Sequence, residues 1–271
     1  MTMLVSFIGV DNHGYTSAYL MSDSRINWDR NHFYDNARKL FASKKYPDTF
    51  GYVGDTLFPS IVLAQIIEMI DNGLLVSEQM NAKQRNKIIF EKVMYELKRY
   101  PEQCRDKTVT IIHVCRNDTP NNKYPEFYHF ELTFDSNHRI YKSNVKLPTI
   151  SDVVKTYGSG SNLFNSKFKK LKQIRKNKNT TRCVFQSFID VLRNNSDITI
   201  GGPPQLVGLY RKPQSTTIEF GIIYNRKRYF LGTEVPKKSC YQNVEWRNDR
   251  FEICNGDNKK IKPGAAKQPV E

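Results

Sequence analysis

Two stretches decide the fold: MTMLVSFIGVDNHGYTSAYLMSDSR (Met1–Arg25) and NARKLFASKKYPDTFGYVGD (Asn36–Asp55). Met3–Val10 is rich in residues that suit a pleated surface and stops at the turn signal Asn12-His13-Gly14. Ala18–Ser24 reads as the return strand of a hairpin. Ala37–Ser43 and Thr49–Gly54 read as a second strand pair around Lys44–Asp48. Lys39 then stands within an apolar strand. A lysine there loses its hydration unless it is paired, and Asp23, closing the first hairpin, is the natural partner.

Outward from that region, two helices follow. Thr56 is a candidate cap for the first, with Pro59 tolerated in its opening turn. Ile61, Ala64, Ile67 and Ile70 recur at helical spacing, and Gly73 is a natural stop. The second runs from Ser77 to Arg99 with Ile89, Val93 and Leu97 on one face. Strands return at Thr108–Cys115, Phe127–Phe134, His138–Val145 and Val153–Gly158. Helices over Ser161–Lys176 and Thr181–Asn194 come next, then strands at Leu206–Tyr210, Thr217–Tyr224 and Arg228–Glu234. Many antiparallel strands and two helix pairs must each bury one face. The compact solution is two sheets packed face to face with helices outside each. The polar tail from Gly256 is expected to be disordered.

Composition narrows the function. Hydrophobic residues make up 39% of the 271, enough for a sizeable core. No apolar run reaches the roughly 18–20 residues of a membrane helix, so no membrane is expected. The N-terminus lacks the charged start and cleavage site of a signal peptide and reads as mature structure. Five cysteines, Cys104, Cys115, Cys183, Cys240 and Cys254, are scattered and never form CxxC. That argues against a disulfide framework and points to a reducing cytosol and a cytoplasmic protein. The five histidines form no HxxxH or HExxH pair, so neither metal nor cofactor is expected. Net charge is +15, and Lys167–Lys178 (KFKKLKQIRKNK) holds seven basic residues and no acid. Such a run suits a solvated helix face, an acidic partner or regulator, or nucleic acid.

Conventional nucleophile motifs are absent, including GxSxG, GxxxxGK[ST] and GxGxxG. Thr2, however, lies directly behind the initiator methionine. Once freed, it carries a hydroxyl and an α-amine of pKa about 7.7–8.0 on one residue, suited to act as nucleophile and base. Lys39 held near it lowers the hydroxyl pKa. The glycines of Gly51-Tyr52-Val53-Gly54-Asp55 admit a substrate to the backbone, where the Gly54 N–H can face a developing oxyanion.

Thr2, Asp23-Ser24-Arg25, Lys39 and the glycine turn, in this order and near this spacing, resemble the proteasome β-subunit-type family of N-terminal-nucleophile (threonine) hydrolases and the related bacterial ring peptidases. Gly158-Ser159-Gly160-Ser161 resembles that family's GSG strand-to-helix turn. Asp197-Ile198-Thr199-Ile200-Gly201-Gly202 resembles its DxxSGG turn. The resemblance spans roughly residues 2–235. It implies an α+β fold, a four-layer αββα sandwich of two mainly antiparallel sheets flanked by helix pairs, with residues 236–271 as a C-terminal extension. By position it implies Thr2 as nucleophile and base, with Asp23 and Lys39 orienting and activating it. Gly54 supplies the oxyanion N–H, and Ser159 and Asp197 a network around the amine. Ile26, Ala37, Phe41 and Tyr52 line a substrate pocket that Tyr52 shortens, favouring small or medium apolar residues. The implied substrate is a peptide or unfolded protein, and the implied assembly a homo-oligomer, as a ring.

The sequence departs from the family in three places. The serine of DxxSGG is Ile200, so that link is lost. The chain between Thr2 and Asp23 is several residues longer, and Gly201-Gly202-Pro203-Pro204 is unusual. Four readings stay open: a threonine peptidase, a non-catalytic proteasome-fold scaffold subunit, a basic nucleic-acid-associated protein, and a small-molecule amidase.

Overall fold

The computed structural model describes residues 2–105, 107–118, 124–174, 178–194, 197–212 and 216–266. Its first unit is the expected hairpin of β1 (Leu4–Asp11) and β2 (Gly14–Ser22), paired from Leu4↔Ser22 to Asp11↔Gly14. Gly14 turns the corner at φ 104°, a conformation that favours glycine. A short second hairpin, β3 (Ile26–Asn27) and β4 (Phe33–Tyr34), has no strong alternation and was not expected. It is followed by β5 (Leu40–Ala42) and β6 (Asp48–Gly54). The strand expected from Ala37 therefore begins three residues later, and Lys39 sits just ahead of the ladder rather than within it.

Next come α1 (Leu57–Asp71) and α2 (Ala82–Arg99). The N-cap position of α1 is Thr56, but its side chain makes no capping bond. The buried face of α1 carries Val62, Leu63, Ile66, Ile67 and Ile70, whereas Ile61 is exposed. Apolar residues surround most of this helix, so periodicity alone misjudged its inner face. The second helix starts at Ala82 rather than Ser77 because Asn81 and Gln84 form a reciprocal capping box.

Strands β7 (Val109–Asn117), β8 (Glu126–Phe134), β9 (Ile140–Asn144) and β10 (Asp152–Tyr157) lead to α3 (Ser161–Ile174) and α4 (Thr181–Asn194). The expected end of α3, and part of the Lys167–Lys178 run, lie outside the described residues. Then come β11 (Gln205–Tyr210), β12 (Ile218–Glu219), β13 (Gly221–Tyr224), β14 (Lys227–Phe230) and β15 (Thr233–Glu234). The single strand expected over Thr217–Tyr224 is broken at Phe220, and its halves join different sheets. Beyond residue 235, β16 (Trp246–Asn248) and β17 (Ile253–Cys254) extend the sheet of β13, with β16 running parallel to it. The polar tail expected to be disordered from Gly256 is described to residue 266 and returns to pair Ile261 with Cys254.

Three five-stranded sheets result, in the orders β10-β1-β2-β11-β12, β5-β6-β7-β8-β9 and β15-β14-β13-β16-β17. All other strand pairs are antiparallel, and the described residues hold four α-helices, so the fold class is α+β. Alternation along β1 divides the core. Met3, Val5 and Phe7 pack with Phe164, Phe185 and Phe188 of α3 and α4. Leu4 and Ile8 face the other way and pack with Leu40, Ile112 and Val114 of the second sheet. A third cluster joins Phe50, Ile111 and Leu132 to Leu63, Ile66 and Ile89 of α1 and α2. Each fully buried side chain of this size contributes about 1.5–3 kcal/mol. Among the described residues, no helix is long and apolar enough to cross a membrane.

Candidate active site

Four strand ends of the first sheet meet at one point. The register Leu4↔Ser22, Leu4↔Tyr157 and Gln205↔Ser22 places the start of β1, the ends of β2 and β10, and the start of β11 side by side. Thr2 precedes β1, Asp23 follows β2, Gly158 follows β10 and Gln205 opens β11. Asp23 N donates to Met3 O at 3.2 Å.

Thr2, Asp23 and Lys39 are 3%, 0% and 1% exposed. Lys39 Nζ lies 3.2 Å from Thr2 Oγ1 and 2.8 Å from Asp23 Oδ1. The Asp23 carboxylate is fully engaged. Oδ1 also accepts from Met3 N at 3.1 Å, and Oδ2 accepts from Arg25 N at 3.3 Å and Gly201 N at 3.2 Å. Burial pushes the Lys39 ammonium below its ordinary pKa, and the neighbouring Asp23 carboxylate opposes that shift. The arrangement holds a buried cation against a threonine hydroxyl, where it favours negative charge on that oxygen.

The turn after β10 grips Thr2 from the other side. Gly160 N donates to Thr2 O at 3.2 Å. Gly158 has φ 83°, and a Cβ there would stand 2.0 Å from Thr2 O, so only glycine fits. Ser159 and Asp197 meet through Thr199. Ser159 Oγ is 3.2 Å from Thr199 Oγ1, and Asp197 Oδ1 accepts from Thr199 N at 2.8 Å. Sequence reasoning missed Thr199, one position before the family serine. Ile200 is buried in the core with Met3, Phe188 and Leu206.

Other expected residues are more dispersed. Gly54 ends β6 exposed at φ 103°, and a Cβ there would meet Thr108 O at 1.9 Å; its conformation answers to Thr108. Phe41 and Tyr52 belong to the core beneath α1 and α2, and Tyr52 Oη donates to Arg38 O at 3.2 Å. Burial raises the Tyr52 phenol above its usual pKa. Ile26 pairs with Tyr34 in the small hairpin, and Ala37 N donates to Ser24 O. A cavity of about 550 Å³ adjoins the Asp23 carboxylate, lined by Arg25, Asp35, Asp197, Ile198, Gly201 and Gly202, of which Arg25 and Gly201 donate to Asp23 Oδ2 through their backbone N–H groups. Arg25 forks Asp35 at 2.6 and 2.9 Å and donates to Ile198 O at 2.8 Å, bracing one wall.

Gln205 also escaped the sequence reading. Its amide contacts the backbone of Lys39, Ala37 and Asp23. No motif marks a single glutamine at a strand start.

A second buried polar group lies in the other sheet. Asp48, His113 and Cys115 have the residue types of a metal site. His113 Nε2 is 2.8 Å from Asp48 Oδ1 and Nδ1 is 2.9 Å from Asn86 Oδ1, while Arg85 donates to Asp48 Oδ2 at 2.8 Å. With a guanidinium already beside the carboxylate, the donor set fits a structural hydrogen-bond network better than a cation.

No family model matches the chain, and no curated protein matches it. Solved structures do. A Gly-1 mutant of Anbu from Hyphomicrobium sp. strain MC1 is similar with a TM-score of 0.53 and 12% identity, over 86% of this chain and 88% of that one. Anbu, described as an ancestral beta-subunit, from Yersinia bercovieri has a TM-score of 0.53 and 10% identity, over 84% and 87%. The Anbu complex of Pseudomonas aeruginosa, solved as a helical assembly, has a TM-score of 0.50 and 13% identity, over 88% of each chain. Identity this low carries the fold alone. The chain has an Anbu-like fold.

Proposed function

We propose that this protein is a threonine-type peptidase that hydrolyses amide bonds through an acyl-enzyme on Thr2 after Met1 is removed. The observation that carries the reading is the buried Lys39 ammonium placed between Thr2 Oγ1 and Asp23 Oδ1. In the proposed reaction the Thr2 α-amine takes the hydroxyl proton, and the oxygen attacks the substrate carbonyl. The tetrahedral oxyanion collapses to an ester on Thr2 as the C–N bond breaks, and the proton passes to the leaving amine. Water then attacks the ester, the amine again acting as base, and releases the acid with Thr2 restored. Asp23 holds Lys39 charged, Gly54 supplies the oxyanion N–H, and Ser159 and Asp197 steady the amine. Ile26, Ala37, Phe41 and Tyr52 bound the pocket. To test the reading, the processed protein, its intact mass confirming loss of Met1, is treated with a peptide epoxyketone or vinyl sulfone. Peptide mapping is expected to find the adduct on Thr2. An adduct elsewhere, or none on processed protein, overturns it.

The same reading includes a four-layer αββα arrangement of residues 2–235, supported by the three core clusters. It includes a cytoplasmic homo-oligomer, for which the helical Anbu assembly is a precedent in that protein. It also includes an acidic partner at Lys167–Lys178. A monomeric mass in light scattering counts against the oligomer. One observation favours a second reading, the non-catalytic scaffold: an apolar core residue, Ile200, fills the place of the family serine.

A further inference from the structure

Gln205 is fully buried, and both polar atoms of its amide are engaged. Oε1 accepts from Lys39 N at 3.0 Å. Nε2 donates to Ala37 O and Ser24 Oγ, each at 2.8 Å, and to Asp23 O at 3.2 Å. The neighbours dictate the orientation of the amide. Lys39 N–H can only donate, while the Ala37 and Asp23 carbonyls can only accept. A flipped amide would set oxygen against two carbonyl oxygens.

Residues 36–39 lie outside the ladder that begins at Leu40, so Lys39 N–H and Ala37 O have no strand neighbour. Buried groups of this kind need partners. The Gln205 amide supplies both, one acceptor and one donor, as a facing peptide unit does in a sheet. Its own backbone is fixed by pairing with Ser22, one residue before Asp23. Gly232, at φ 90°, closes the back: a Cβ there would stand 2.6 Å from Ser24 Oγ, 2.9 Å from Ala37 O and 3.2 Å from Gln205 Nε2. One side chain therefore joins the end of β2 to the segment carrying Lys39, which comes from the other sheet.

We propose that Gln205 is the positioning residue of the site. By locking the Lys39 backbone to that of Asp23, it sets the point from which the flexible lysine stem spans to Thr2 Oγ1 and Asp23 Oδ1 together. The proposal rests on the reading of Thr2 as nucleophile. Small displacements of a charged group cost rate out of proportion to their size, whereas the global fold has other supports.

The test uses the full, processed chain labelled with ¹⁵N-lysine. The Lys39 ammonium resonance is assigned by its loss in Lys39→Ala. Gln205→Met removes both hydrogen-bonding groups at similar volume. It is expected to move or broaden the Lys39 resonance, to shift the pH dependence of Thr2 labelling by a peptide epoxyketone, and to slow that labelling by about tenfold or more. Ser187→Ala, which removes a buried bond to Cys183 O in α4, is the stability control and is expected to leave both readouts unchanged. If Gln205→Met does not fold, Ser24→Ala removes one Nε2 acceptor and is expected to give a smaller shift of the same kind. An unmoved Lys39 resonance in the folded variant overturns the positioning role, and Thr2 labelling at the wild-type rate then leaves the peptidase reading standing. A moved resonance in a protein whose wild type is inert to the epoxyketone keeps the positioning role and removes the peptidase reading.

Discussion

Lys39 Nζ stands 3.2 Å from Thr2 Oγ1 and 2.8 Å from Asp23 Oδ1, with all three residues withdrawn from water. Neither partner is near Lys39 in sequence. The contact exists because two sheets present their ends to each other, and its energetics can be separated from its chemistry by substitution.

Lys39→Ala removes the cation and leaves Asp23 buried without its counter-charge. Peptide hydrolysis is expected to fall by about 10²–10³-fold or more. Unfolding free energy is expected to drop by about 3–5 kcal/mol. Lys39→Arg keeps the charge but changes its shape and reach, so thermal unfolding should largely recover while hydrolysis stays low. Equal hydrolysis by all three proteins rules out the role given to Lys39.

Gly158 and Gly73 both have positive φ, 83° and 71°, but their surroundings differ. A Cβ at Gly158 would meet Thr2 O, whereas nothing lies within 4 Å of one at Gly73. Gly73→Ala should carry only the backbone cost of about 1–3 kcal/mol. Gly158→Ala should add displacement of Thr2, seen as slower electrophile labelling. Equal labelling of the two variants refutes the idea that this turn places the nucleophile.

Ile200→Ser places in the Asp197–Gly202 turn the serine of the DxxSGG pattern that this stretch resembles. Because Ile200 packs in the core, the change should cost about 2–5 kcal/mol by chemical denaturation. Hydrolysis per folded molecule should not rise. A gain in activity would show that the isoleucine is a lost catalytic link rather than a repacked one.

His129 provides a pH test. Burial pushes its pKa down to about 4, with Glu131 opposing and Lys155 and His113 reinforcing the shift. Its Nε2 is 2.8 Å from Tyr157 Oη, whose hydroxyl donates to Glu131, and Tyr157 immediately precedes Gly158. The folded pKa lies below the unfolded value, so the unfolded chain binds the proton first as pH falls. Stability is therefore full above about pH 6.5 and lost progressively down to about pH 4, by about 2 kcal/mol at pH 5. His129→Asn should flatten that part of a stability–pH curve. An unchanged slope would show that the acid sensitivity arises elsewhere.

Much of this architecture was legible because its signals are local. The hairpin of β1 and β2 follows from alternation and the Asn12-His13-Gly14 turn, and α4 from its strongly one-sided apolar face. Errors gathered where local signals are weak or shared. The all-round apolar character of α1 hid its true inner face, and the capping box at Asn81 outweighed the apolar residues before it. The break at Phe220 was invisible because both halves of the segment have strand character, and only sheet membership separates them.

Thr2, Asp23 and Lys39 could be nominated from the chain because residue type and order carry their chemistry: a hydroxyl behind Met1, and a carboxylate and a lysine that must pair if buried. Tertiary structure alone decided what surrounds them. Thr199 instead of a serine at 200 meets Ser159, Phe41 and Tyr52 pack against the core beneath α1 and α2, and Gln205 ties Lys39 to Asp23 across 166 and 182 residues of sequence. Such contacts have no local spacing to read, because they arise from the register of strand ends and the packing of two sheets, which only the folded chain specifies.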